Sequence, residues 1–110
     1  SLRRLVAAEI ERIAKPYRDQ LQEWTGFGAR SFPAGTRFET TSPLLQENVH
    51  LLQVLTRPEQ EAIGDFMLRL AHAHPANPDQ FEHSERDRLA AFAASAELAV
   101  AELAHRGGFK

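Results

Sequence analysis

Two carboxylate–imidazole pairs at helical spacing are the residues of this 110-residue chain best suited to chemistry. Glu47-Asn48-Val49-His50 and Glu102-Leu103-Ala104-His105 each set a glutamate three positions before a histidine. Residues i and i+3 share one side of a helix, so each pair could grip a divalent cation through an oxygen and a ring nitrogen. Glu9 and Glu61 could supply further oxygens. His72-Ala73-His74, with His83 beyond, offers more imidazoles. Residues i and i+2 point apart on a helix, however, so His72 and His74 cannot share a metal there. Ser31, Ser42, Ser84 and Ser95 lack the base and oxyanion donors that a serine nucleophile needs. Gly26-Phe27-Gly28 lacks the preceding strand and following lysine of a phosphate-binding loop. Cysteine is absent, which excludes a thiol nucleophile, a disulfide scaffold and thiolate metal ligation.

The two Glu-x-x-His pairs resemble the ligand motifs of ferritin-like di-iron carboxylate bundles. Those proteins take one such motif from each of two helices and a single glutamate from each of two others, all pointing inward. The resemblance implies a metal-carboxylate helical bundle, and that is the first rival reading. The angular positions oppose it. At about 100° per residue, Glu102 and His105 lie roughly 120–160° from the large apolar side chains of their own segment. His50 falls on the polar side marked by Gln46 and Gln53. The expectation is therefore no metal and no other cofactor, with Glu47, His50, Glu102 and His105 as the candidate ligands if that expectation fails. No catalytic constellation is found, and an enzyme is not expected.

The elements that must position these residues are helices. Positions 88–105 are rich in alanine, the strongest helix former, and contain no breaker. Leu89, Phe92, Ala96, Val100 and Leu103 form one stripe, while Ala91, Ala94, Leu98 and Ala101 form a second apolar face of mostly small residues. Such a helix is expected at the centre of a bundle, with its second face free for another helix or another subunit. Asn77-Pro78-Asp79-Gln80 and Ser84-Glu85-Arg86-Asp87 both read as N-terminal signatures, and a start at 78 is preferred. Gly107-Gly108 is the stop.

Residues 2–24 carry Leu2, Val6, Ile10, Ile13, Tyr17, Leu21 and Trp24 at steps of four and three, the seam of a long outer helix. Pro16 interrupts it and should bend it near 14–16 without breaking the register. The stretch 25–42 breaks the pattern. Its Phe27, Phe32 and Phe38 are expected to plug one end of the bundle as an ordered loop, with a lid or partner-binding loop as the alternative. Thr36 to Thr41 has the make-up of a short extended segment. Ser42-Pro43 opens a helix over 43–56, whose Leu44, Leu45, Val49, Leu51, Leu52, Val54 and Leu55 suggest a wide, deeply buried face. Thr56 or Arg57 caps a third helix over 58–74, with Ile63, Phe66, Met67 and Leu70 inward and Asp65–Arg69 paired outside.

Apolar residues make up 43% of the chain and the net charge is −2, values of a single globular domain over 1–110. Arg3, Arg4, Arg12, Lys15 and Arg18 alternate with Glu9, Glu11, Asp19 and Glu23, so no basic stripe forms and nucleic-acid binding is not expected. No apolar run is long enough to span a membrane, and membrane partners are not expected either. The chain begins at Ser1 already inside a helical pattern, as a trimmed or excised piece of a longer protein would. Leu55-Thr56-Arg57-Pro58-Glu59-Gln60-Glu61-Ala62-Ile63, with Met67-Leu68-Arg69-Leu70, resembles the dimerisation-helix region of bacterial MarR-type regulators. That resemblance implies the dimerisation or effector-binding part of a transcriptional regulator, a second rival. The leading expectation is an all-α antiparallel four-helix bundle acting as a cytoplasmic, homodimeric interaction or regulatory module. Its interface is expected at Ala91, Ala94, Leu98 and Ala101.

Overall fold

The computed structural model describes residues 1–27, 38–73 and 83–109, and side chains within them except at 23–27 and 83–84. The described residues form four helices and no strand: α1 (Leu2–Phe27), α2 (Pro43–Glu47), α3 (Arg57–Ala71) and α4 (His83–Gly107). A short 3-10 turn, Leu51–Val54, lies between α2 and α3.

α4 packs against both α1 and α3. Its large stripe is buried: Leu89, Phe92, Ala96 and Leu103 are almost fully covered, and Ala99 with them. The Phe92 ring meets Tyr17 of α1 edge-on at 5.0 Å and stacks on Phe66 of α3 at 5.4 Å. At the other end Gly107 lies beside Arg3, so α4 runs opposite to α1. A Cβ on Gly107 would come within 2.6 Å of the Phe109 ring, so a larger residue there would have to push that ring aside. Gly108 then takes a left-handed φ of 70°, and the Phe109 N–H donates to the Ala104 carbonyl. That six-to-one bond is the Schellman stop, which needs glycine at the left-handed position.

α1 buries the expected seam of Val6, Ile10, Ile13 and Tyr17, with Ala7 and Ala14 beside it. It runs through Pro16 and past Gly26 to Phe27 as one helix. The stop is therefore later than residue 24, and Gly28 lies outside the described residues. Each large apolar side chain buried here contributes about 1.5–3 kcal/mol relative to exposure.

The segment 43–56 departs from expectation. α2 ends after Glu47, a turn covers 48–50, and the 3-10 turn follows. The Asn48 side-chain amide donates to the Leu44 carbonyl at 2.8 Å, satisfying a group that a longer helix would have paired. The Gln60 amide of α3 takes the Gln53 and Leu55 carbonyls at 3.2 and 2.8 Å. Only Leu45, Leu52 and Leu55 of this segment are buried, whereas Val54 is 74% exposed and Val49 57%. The wide buried face is thus corrected to three inward leucines. α3 ends at Ala71 rather than 74, with His72 as C-cap. The start of the last helix at 78 falls on residues outside those described. Phe38 packs edge-on against Tyr17 at 5.1 Å, while Phe32 and the Phe27 side chain of the expected plug lie outside the described set. Residues 38–42 form no strand and are held by side-chain bonds instead.

Candidate functional site

The metal candidates do not converge. Glu47 closes α2 while His50 sits in the following turn, so this pair does not share a helical face. Both are exposed, as is His105, with Glu102 half-buried. Glu61 pairs with Arg57 in solvent. Glu9 is buried but committed, accepting from the Ser42 hydroxyl at 2.8 Å and from Arg12 at 2.9 Å. No three His, Asp or Glu side chains among the described residues are placed to hold an ion. His72 is exposed and lines a groove of about 310 Å³ with Asp65, Arg69, Arg88 and Phe92. His74 lies outside the described residues, as does the side chain of His83.

Two polar clusters tie the helices together. Glu59, with no exposed surface, accepts from Arg3 Nε at 2.8 Å and Nη2 at 3.1 Å. It also accepts from the Thr56 N–H and hydroxyl, while its own N–H donates to that hydroxyl. This is a capping box whose glutamate is shared with a second helix. Burial alone pushes the Glu59 carboxyl up, but the bonds from Arg3 and Thr56 outweigh it and hold it below the usual carboxylate range. In the second cluster Ser42 caps α2 through the Leu45 N–H and donates to Glu9. Arg12 bridges Glu9 to Glu39, and the Tyr17 hydroxyl donates to the Glu39 carbonyl at 2.8 Å. Burial pushes the Tyr17 phenol up, so it stays protonated as that donor. Every polar atom named has a structural partner, and the clusters hold 38–42 and the ends of α1 and α3 in place.

Leu5 of α1 and Leu68 of α3 are exposed singly, and the outer face of α4 is open as well. Ala94, Leu98 and Ala101 are exposed and Ala91 is half-buried. Leu98 keeps 56% of its surface in solvent, in the middle of a helix whose opposite side is core. The same spacing of four and three reaches outward to Asp87 and His105, both exposed. Asp87 was the residue composition did not flag; the step pattern is the signal that finds it. No protein-family model, curated protein sequence or solved structure matches the chain.

Proposed function

We propose that the chain is a non-enzymatic helical interaction module that pairs with a second copy of itself through the outer face of α4. In this reading the whole domain is a small antiparallel four-helix bundle, with 25–42 capping one end. The observation that carries it is the exposure of Leu98 among Ala91, Ala94 and Ala101. Single exposed apolar residues are ordinary on surfaces. A leucine centred in a row of alanines is a different case, because small neighbours let a second backbone come close. A two-fold axis doubles every contact, so two leucines and six alanines would leave water together.

The other features support binding rather than catalysis, since the buried carboxylates are spent on Arg3, Arg12, Thr56 and Ser42. Among the described residues no helix is long and apolar enough to cross a membrane. The cysteine-free composition suits a reducing cytoplasm, where we place the protein.

Replacing Ala94 with glutamate puts a charge in the contact. Light scattering should then report a monomer where the native chain is dimeric, with helix content by circular dichroism unchanged. A native chain that is monomeric at high micromolar concentration removes the self-pairing claim.

A further inference from the structure

We infer that two copies of α4 pair antiparallel about a two-fold axis level with position 96 but on the outer face, with Asp87 of each copy set against the partner's His105. The inference rests on the self-pairing proposed above and adds its direction, its register and its charged ends. Residues 87, 91, 94, 98, 101 and 105 follow one another at steps of four, three, four, three and four. That is the seam of a helix pairing with another helix. Asp87 and His105 are five turns apart at 3.6 residues per turn, so they project in the same direction. Both are exposed, and neither makes an ion pair with the described residues of its own chain.

The seam is symmetric about Ala96. Asp87 mirrors His105, Ala91 mirrors Ala101, and Ala94 mirrors Leu98. In an antiparallel pair each residue lies opposite its mirror position. Leu98 then rests on the partner's Ala94, a large side chain against a small one. The next layers are alanine on alanine, which lets the backbones approach. At both ends a carboxylate meets an imidazole. A parallel pair would instead put Asp87 beside Asp87, like charges at one end and nothing gained at the other. A carboxylate acceptor set against an imidazole N–H donor at both ends, in place of carboxylate against carboxylate, therefore favours both a second copy as the occupant and the antiparallel direction. One like-charge approach accompanies it: Glu97, on the flank of the seam, comes near its own mate. It is exposed and screened by salt.

Because the chain has no cysteine, two single-cysteine variants test direction without background. Ala91→Cys and Ala101→Cys leave Leu98 in place. Mixed and oxidised, they should form covalent dimers, and neither should do so alone. A charge exchange checks the ends. Asp87→Lys or His105→Asp alone should weaken the dimer about threefold to tenfold, the usual strength of two exposed pairs, and the double variant should restore it. Glu97→Gln should tighten it. Covalent dimers from each variant alone, with none across the mixture, overturn the antiparallel register while the self-pairing reading stands. A native dimer that cross-links in no arm overturns the register as well. A monomeric native chain in light scattering defeats the self-pairing reading itself.

Discussion

Glu59 shows how much one side chain can carry when it serves two elements. Its carboxylate completes the first turn of α3 and anchors the first turn of α1 through Arg3. Arg3→Ala takes two charge-assisted donors from that buried carboxylate and leaves it with Thr56 alone, so the unfolding midpoint in urea should fall. An unchanged midpoint would mean Arg3 is ornamental. The pH dependence follows from the lowered folded value. A carboxyl held below its ordinary value of about 4.3 stabilises the fold at neutral pH, and this stabilisation is lost as pH falls through the lower folded value. Acid titration of the urea midpoint should therefore drop more steeply for the native chain than for Glu59→Gln. Phe92 sits between Tyr17 and Phe66, and Phe92→Ala should cost about 3–5 kcal/mol.

At the level of elements, the 3-10 turn makes a sharp contrast testable. Leu52 points inward and Val54, two positions on in the same turn, points outward. Leu52→Ala should cost about 2–4 kcal/mol, whereas Val54→Ala should stay within about 0.5 kcal/mol. Equal losses would mean that Val54 is buried as well as Leu52, against the exposure seen here. The seam of α1, the cap at Thr56 and the two-sided character of α4 were all legible in the sequence, because periodicity and capping are local signals. The break at 48–50 was not. It depends on Gln60 taking carbonyls from five and seven residues back and on Asn48 turning onto Leu44, and a run of leucines and valines gives no hint of either. The Arg3–Glu59 pair spans 56 positions and left no trace in any window. The open face of α4 was visible as Ala91, Ala94, Leu98 and Ala101. Asp87 and His105 also fell within the expected helix, and the structure adds that both are exposed.

For the molecule as a whole, self-pairing ties stability to concentration. If two copies pair, the thermal midpoint should climb as the protein is concentrated, and Ala94→Glu should flatten that slope. A midpoint that ignores concentration in the native chain counts against the pairing. The placement of Arg3 beside Gly107, and of the Arg4 guanidinium 5.3 Å over the Phe109 ring, has a separate outcome. Chain entering before Arg3 and chain leaving after Phe109 pass through the same doorway. A unit built this way can be set into a surface loop of another protein like a bead on a closed clasp, without stretching its host. It can also be rewired. Joining position 109 to position 2 by a few glycines, and opening the chain between the exposed Val49 and His50, should give a permuted protein with the native circular dichroism spectrum.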